Sequence, residues 1–209
     1  MGTIESGPIE CDVDARHAQV VGDGPRVGPV PQADMAQADL DLCIAVREGV
    51  GVREHSVIPD YMRTMIKNPG IFAPHMQMGS AIFRGALPPR ERELAVLRIA
   101  CLCRAPYEWG EHVDISQRYG VTREEIARIT QGSSAPGWHE HDAAIVRGVE
   151  ELIGDSTISD ATWAILAKTW DEAQLIEYPM MVGQYVATAF VQNSLRMALA
   201  SDNPGLRHR

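Results

Sequence analysis

The fold is decided by residues 87–129 of this 209-residue chain, LPPRERELAVLRIACLCRAPYEWGEHVDISQRYGVTREEIARI. Residues 94–103 are apolar on nearly every face, as expected of a buried helix. Pro106 stands where the first turn of a helix tolerates proline. Residues 122–125 have the spacing of a capping box, which marks a helix start. The stretch therefore predicts three consecutive helices, over about 89–104, 106–119 and 122–131.

The rest of the chain carries further helical patterns and no run with the alternating period of a strand. Residues 34–48 place apolar side chains at helical intervals, and Pro59 is positioned to open a short helix. Together these patterns predict an all-α fold, an oligomeric helical bundle. The other helices are expected over 71–84, 139–153, 159–169 and 172–200, with a kink at Pro179.

Composition divides the chain into three parts. Residues 1–33 are rich in glycine, proline and small polar residues and show no regular period, which predicts an irregular N-terminal arm. An arm that wraps a neighbouring subunit is the alternative. Residues 34–200 form the single predicted all-α domain, and residues 201–209 form a C-terminal tail.

The charge balance and the hydropathy pattern exclude several classes of partner. The chain has 19 Lys and Arg against 28 Asp and Glu, a formal net charge of −9. Nucleic acid is excluded as the main partner because phosphate binding needs a cationic surface. No uncharged apolar run is long enough for a membrane span, and the N-terminus has no signal-peptide pattern. We therefore expect a cytoplasmic protein that binds neither nucleic acid nor a membrane.

Four cysteines are present, Cys11, Cys43, Cys101 and Cys103, in neither a C-x-x-C motif nor a paired zinc-ligand spacing. On a helix, Cys101 and Cys103 point about 200° apart, so they cannot easily bridge each other. We interpret the thiols as small buried side chains in a reducing compartment.

Three titratable residues fall on helix faces that should be buried. In the helix over 106–119, Glu108 and His112 are one turn apart on the side opposite the polar face. Glu93 lies on the preceding apolar helix, and the short join between the helices allows all three to form one cluster. A buried carboxylate is costly unless it is paired or protonated, so the cluster is a candidate catalytic site. The polar face comprises Gly110, Glu111, Asp114, Gln117 and Arg118.

Ordinary structural roles are an alternative for the same residues. Glu108 and His112 could be a surface pair that contributes a few tenths of a kcal/mol. Glu93 could instead satisfy the guanidinium of Arg98 or Arg104.

Metal binding is a further alternative, which we do not favour. Glu93, Glu108 and His112 offer carboxylate and imidazole ligands of the kind that suit zinc or iron. His139 and His141 would diverge on a helix and could hardly share one ion. We expect no metal and no organic cofactor.

Four further residues are candidates for binding the substrate, each with a structural alternative. Trp109 could form a pocket wall or belong to the core, and Tyr185 could reach the cluster from the last helix. Arg98 could hold a substrate carboxylate in a bidentate geometry, or pair with a nearby glutamate. His75 could line the site, or be a surface or core histidine.

With these residues in place, the chain resembles the carboxymuconolactone decarboxylase and alkylhydroperoxidase D superfamily. The resemblance covers about residues 55–200 and is strongest over 87–130, with Gly183-Gln184-Tyr185 similar to part of the closing helix. It implies an all-α bundle assembled into trimers or hexamers. The peroxidase branch carries a glutamate, matched by Glu93, and then C-x-x-C-x-x-x-H, whose histidine matches His112. Ala105 and Glu108 stand where that motif has its two cysteines.

The missing thiols direct the functional interpretation toward proton chemistry. Peroxide reduction by this family's route needs a thiolate and a resolving thiol. The decarboxylase branch implies a cofactor-independent lyase or isomerase acting on a small lactone or carboxylic acid, in aromatic or lactone catabolism. In this hypothesis His112 is the general acid or base, Glu108 orients it and Glu93 anchors the cluster. The alternatives are an atypical alkylhydroperoxidase and a non-catalytic oligomeric ligand-binding protein.

Overall fold

The computed structural model describes residues 11–49 and 56–208. The first ten residues of the predicted arm, Gly51 and the final Arg209 lie outside the described residues. The described chain is helical without strands, which confirms the all-α prediction. The helices are α1 Val13–Val20, α2 Gln37–Gly49, α3 Asp60–Met65, α4 Pro69–Phe83, α5 Pro89–Leu102, α6 Pro106–Arg118, α7 Arg123–Gln131, α8 Glu140–Asp155, α9 Asp160–Leu166 and α10 Glu172–Leu195. Short 3-10 turns cover Gln32–Asp34 and Gly205–Arg207.

Helix α5 is the centre of the larger hydrophobic core. It packs against α6, α7, α8 and α10, and its residues 92–101 are all buried. The apolar pattern predicted this, since a helix without a polar face can be stable only when other helices surround it. A smaller core lies among α2, α3, α4 and the end of α10, around Phe72 and Ile58.

The helix ends follow their sequence signals. Thr122 accepts from the backbone N–H of Glu125, and the Glu125 carboxylate accepts from the backbone N–H of Thr122. This reciprocal capping box was predicted from the spacing. Proline opens α4, α5 and α6 at the first helical position, where its missing N–H costs nothing. Pro69 therefore begins this helix, two residues before the predicted start at residue 71.

Two segments differ from their predicted irregular state. Residues 13–20 of the supposed arm form α1, which Asp12 caps by accepting from the N–H groups of Asp14 and Ala15. The C-terminal tail folds back, and Leu206 is fully buried in the larger core. The two segments touch, because the backbone N–H of Leu206 donates to Nε2 of His17 over 3.1 Å. These distant contacts leave no periodic signal in the sequence.

The tail also covers Gly110, which we had placed on the solvent-facing side of α6. Gly110 is buried, and a Cβ at this position would lie 1.7 Å from Oδ1 of Asn203. The Asn203 amide donates to the backbone carbonyl of Tyr107 over 3.1 Å. Glycine is required here because the tail approaches the helix backbone directly.

Candidate active site

A tight turn between α5 and α6 brings the predicted cluster together. Arg104 adopts the left-handed conformation, with φ of 46°, and the N–H of Ala105 donates to the carbonyl of Ala100 over 2.9 Å. Pro106 then starts α6, which packs back along α5. The inner face of α6 thus meets Glu93 on α5, as the short join had suggested.

Glu93 is fully buried and accepts hydrogen bonds from two cations. Its Oε2 lies 2.7 Å from Nδ1 of His112, and its Oε1 accepts from Nε of Arg92 over 3.1 Å. Burial alone would raise the pKa of Glu93, but the charges and hydrogen bonds of His112 and Arg92 outweigh it and lower that pKa. Glu93 is therefore a carboxylate held in a fixed orientation.

His112 is the member of the cluster that a ligand can reach, since 13% of its side chain is exposed. Burial would lower the pKa of its imidazole, but the charge of Glu93 and its hydrogen bond raise it, with a smaller contribution from Glu108 when that carboxyl group is ionised. The bond to Glu93 occupies Nδ1, which leaves Nε2 to face a ligand. Glu93 is thus the residue that orients His112, the role that we had predicted for Glu108.

Glu108 is buried to 2% exposure, and neither of its carboxyl oxygens has a hydrogen-bond partner among the described residues. Burial, supported by the charge of Glu93 and opposed by His112, raises the pKa of Glu108 to about 8. Buried carboxyl oxygens are normally bonded, so a pair of unbonded ones marks a place for a ligand or water. At neutral pH this carboxyl group is a neutral acid.

The three groups therefore hold different protonation states in one small volume. The pKa of Glu93 is lowered, which favours its carboxylate, whereas the pKa values of His112 and Glu108 are raised, so both groups hold their protons to a higher pH than usual. Such a set can donate a proton and stabilise a charge that develops beside it.

Tyr185 lies at the cluster, as expected, and His75 belongs to a neighbouring hydrogen-bond network. The rings of Tyr185 and His112 meet edge to face with centroids 5.4 Å apart. His75 bonds through Nε2 to the hydroxyl of Tyr61 over 2.7 Å, and through Nδ1 to the Gln184 amide over 3.0 Å. The charge of Glu108 raises the pKa of Tyr61, after the larger effect of burial.

Trp109 and Arg98 do not have the substrate-binding roles that we predicted. Trp109 has no exposed surface, and its indole N–H donates to the backbone carbonyl of His208 over 3.0 Å. Arg98 is buried, and its guanidinium bonds to Glu150 over 2.8 Å and to the carbonyl of Ile129 over 2.8 Å. Parts of the chain that are distant in sequence hold both side chains. Trp109 therefore belongs to the core, and Arg98 pairs with a glutamate.

Sequence reasoning missed Arg92 and Tyr61. Arg92 is 1% exposed and stacks over the ring of Phe83 at 4.3 Å. Its position beside Glu93, directly before the apolar residues 94–97, was the available signal, because a buried guanidinium needs a carboxylate partner. Tyr61 gave no local signal, since α3 reaches the site only through tertiary packing.

The thiols are poor nucleophiles in this fold. All four cysteines are free. Burial raises the pKa of Cys101 to about 11 and that of Cys103 to about 12. A thiol with so high a pKa is almost entirely protonated at neutral pH. Position 105, where the peroxidase motif has its first cysteine, is a buried alanine.

The described residues contain neither a metal-binding group nor a membrane-spanning helix. Over residues 11–49 and 56–208, no three His, Cys, Asp or Glu side chains are grouped so that they could hold a metal ion. Within the same part of the chain, no helix has the length and apolar character needed to cross a membrane.

Comparison with known proteins agrees with the resemblance. Residues 69–145, which include Glu93, Glu108 and His112, match the carboxymuconolactone decarboxylase family. This match, over less than half of the chain, and the all-helical fold agree with the predicted resemblance to carboxymuconolactone decarboxylases and AhpD-like proteins. No curated protein shows a significant match to the chain.

Solved structures share the fold at low sequence identity. An alkylhydroperoxidase AhpD core protein from Ralstonia eutropha, described as peroxidase-related, superposes with a TM-score of 0.69 at 14% identity, covering 84% of this chain and 94% of that one. The debrominase Bmp8 gives 0.65 at 16% identity, covering 85% and 93%. A Bmp8 variant in complex with 2,3,4-tribromopyrrole gives 0.63 at 16% identity, covering 85% and 92%. These likenesses establish the fold.

Proposed function

We propose that this protein is a cofactor-independent proton-transfer enzyme, a lyase or isomerase, acting on a small lactone or carboxylic acid. The observation that carries the proposal is Glu108, a buried carboxyl group without partners beside the ion-paired Glu93 and His112. The match of residues 69–145 to the carboxymuconolactone decarboxylase family supports this reaction class.

The chemistry follows from the protonation states. When a carboxylate leaves as CO2, the electron pair of the broken C–C bond moves toward the neighbouring carbonyl oxygen and forms an enolate. His112 then donates its Nε2 proton to the carbon, and the neutral imidazole regains a proton from solvent. Glu93 remains ionised and holds the ring through Nδ1. An isomerase would use the same groups to remove a proton and return it at another position.

A thiol peroxidase is the weaker alternative. Glu108 replaces one thiol of that motif and Ala105 the other, while burial raises the pKa values of Cys43, Cys101 and Cys103. A non-catalytic ligand-binding protein would use the same site without turnover.

The test is solvent exchange with His112→Ala. Wild-type protein in D2O is incubated with a panel of lactone acids and oxo acids, and deuterium incorporation and CO2 release are followed by NMR. Removal of the general acid should slow the reaction by about 100-fold or more, with the melting temperature little changed. His139→Ala replaces an exposed histidine outside the cluster and should react like wild type. Equal rates in His112→Ala and wild type, or no reaction with any panel member, would refute the proposal.

A further inference from the structure

A second hydrogen-bond network lies near the His112–Glu93 pair and shares no residue with it. It runs from Gln184 on α10 through His75 on α4 to Tyr61 on α3. These three helices meet where the smaller core adjoins α6, and the rings of Tyr61 and Tyr107 are 6.4 Å apart. The Glu108 carboxyl group is also near enough to Tyr61 that its ionisation would raise the pKa of Tyr61, after the larger effect of burial.

The direction of each hydrogen bond in this network is fixed. The Gln184 amide nitrogen donates to the backbone carbonyl of His75 over 3.1 Å, and a carbonyl can only accept. The same NH2 group faces Nδ1 of His75 at 3.0 Å, so Nδ1 is the accepting nitrogen. Burial lowers the pKa of His75, which keeps its ring neutral. The ring proton is then on Nε2 and is donated to the Tyr61 hydroxyl oxygen.

The Tyr61 proton must therefore point away from His75. The side chain of Thr188 lies beside the Tyr61 hydroxyl and, against the larger effect of burial, lowers its pKa. Thr188 donates its own proton to the carbonyl of Gln184 over 2.9 Å, so its oxygen can serve Tyr61 only as an acceptor. A neutral hydroxyl is a weak acceptor, and a negatively charged ligand oxygen would compete well with it.

We infer that Tyr61 and Glu108 are paired O–H donors for one ligand oxygen, and that the site takes small carbonyl compounds whose oxygen becomes an enolate. This inference rests on the proposed function, because the enolate is the species that proton transfer by His112 creates or consumes. His75 and Gln184 are positioning residues, since they act through Tyr61. A tyrosine and a neutral carboxylic acid are an effective donor pair for such an oxygen. Both are uncharged O–H groups, so each can donate a hydrogen bond to the negative charge that develops on the ligand oxygen.

The probe for this pair is 4-nitrophenol, a planar compound whose ionised form resembles an enolate. Nitrobenzene is its isostere without the oxygen. Wild-type protein should bind the phenolate and lower the apparent pKa of the bound phenol, followed by absorbance. Tyr61→Phe and Glu108→Gln should each weaken phenolate binding by about tenfold, the effect of one hydrogen bond to a charged group. Neither variant should change nitrobenzene binding.

Two further variants separate this role from a structural one. Tyr107→Phe removes a hydroxyl from the neighbouring ring and should bind phenolate like wild type. Gln184→Leu removes the donor to Nδ1 and frees His75 to accept the proton of Tyr61, so it should resemble Tyr61→Phe in the pKa of the bound probe. If the role of Gln184 were only structural, Gln184→Leu would weaken the binding of 4-nitrophenolate and of nitrobenzene equally.

The inference is overturned if wild type does not bind 4-nitrophenolate, or if Tyr61→Phe and Tyr107→Phe bind it equally. Deuterium exchange that depends on His112, with phenolate binding that is indifferent to Tyr61, would leave the proposed function standing and remove this inference. If 4-nitrophenolate binding depends on Tyr61 but no panel compound incorporates deuterium, the proposed function is wrong and the oxygen-binding pair stands. The protein would then bind its ligand without turnover.

Discussion

Glu108 is the residue that distinguishes this site from a thiol peroxidase. It occupies the second cysteine position of the peroxidase motif and is buried without a hydrogen-bond partner among the described residues. A thiol at this position would supply redox chemistry, whereas a carboxyl group with a raised pKa supplies a proton or a hydrogen bond. The single replacement changes the available chemistry without changing the helix that carries it.

The raised pKa of Glu108 predicts a pH-dependent stability. Its pKa moves from an ordinary 4.5 to about 8 on folding, so the folded state binds this proton more tightly. The resulting stabilisation is complete below the unfolded pKa and is lost as the pH rises toward 8, at about 1.4 kcal/mol per pKa unit. Urea unfolding at pH 5 and pH 8 should show a larger loss in wild type than in Glu108→Gln.

The contribution of His112 has the same sign, since its pKa is also raised, and it remains in both proteins. Glu93 acts in the opposite sense at acid pH, because its pKa is lowered. The difference between wild type and Glu108→Gln therefore isolates Glu108. Glu124→Gln, the same change at an exposed position of α7, should keep the wild-type pH dependence. An equal loss in wild type and Glu108→Gln would mean that Glu108 is ionised when folded.

The cluster could be predicted at this scale because its signals are local. A spacing of four residues on an apolar helix face identified Glu108 and His112, and an isolated carboxylate on a buried helix identified Glu93. The hydrogen-bond partners could not be predicted in the same way. The partner of Arg98 is Glu150, and that of Trp109 is the carbonyl of His208, and neither is near in sequence.

At the scale of elements, α5 is held by charge pairs as well as by apolar packing. Arg98 joins α5 to α8 through Glu150, which also accepts from the backbone N–H and hydroxyl of Ser133. This network ties α5, the loop after α7 and α8 together on the buried side of the bundle. Breaking a buried pair by removing one partner is costly, because the other charge is left uncompensated.

Arg98→Met should therefore destabilise the fold by about 3 kcal/mol and leave 4-nitrophenolate binding unchanged. Chemical denaturation measures the first quantity and the probe titration the second. Arg123→Met replaces an exposed arginine at the start of α7 and should have little effect on either. Unchanged stability with weakened probe binding would instead give Arg98 the substrate-binding role that we first predicted.

The helices could be predicted to within a few residues from α5 to α8, because proline starts, a capping box and apolar periodicity agree there. Helix α1 could not. Its backbone is satisfied locally by Asp12, but Arg16 fixes it by donating to the carbonyls of Cys103 and Arg104. A short polar helix that depends on such contacts has no period of its own.

At the scale of the molecule, five of the nine large hydrophobic side chains that are exposed in the described part of the chain lie on two adjacent helices. We name them the α4–α10 face, and α4 and α10 pack against each other. Neither residues 69–83 nor residues 178–195 contain a charged Asp, Glu, Lys or Arg, although the chain carries −9 overall. Two copies could meet at this face without like-charge repulsion, and a patch of this kind is typical of an interface. The face comprises Ile71, Met78, Ile176, Met180 and Phe190.

We therefore propose that copies of this chain associate through the α4–α10 face. Phe190 is 61% exposed, and Phe190→Glu should shift the protein toward monomer in sedimentation velocity, because a carboxylate would be desolvated at the interface. Trp163→Glu changes an exposed aromatic residue on α9, outside the face, and should sediment like wild type. A wild-type protein that remains monomeric at micromolar concentration, or equal behaviour of the two variants, would contradict this assignment.

The proton-transfer account is tested most directly by deuterium incorporation in a protein whose four cysteines are replaced by serine, compared with His112→Ala. The account predicts that the cysteine-free protein incorporates deuterium at the wild-type rate and that His112→Ala does not. Two results would contradict the account and indicate thiol chemistry. One is a cysteine-free protein that no longer incorporates deuterium, and the other is peroxide consumption that wild type shows and the cysteine-free protein lacks.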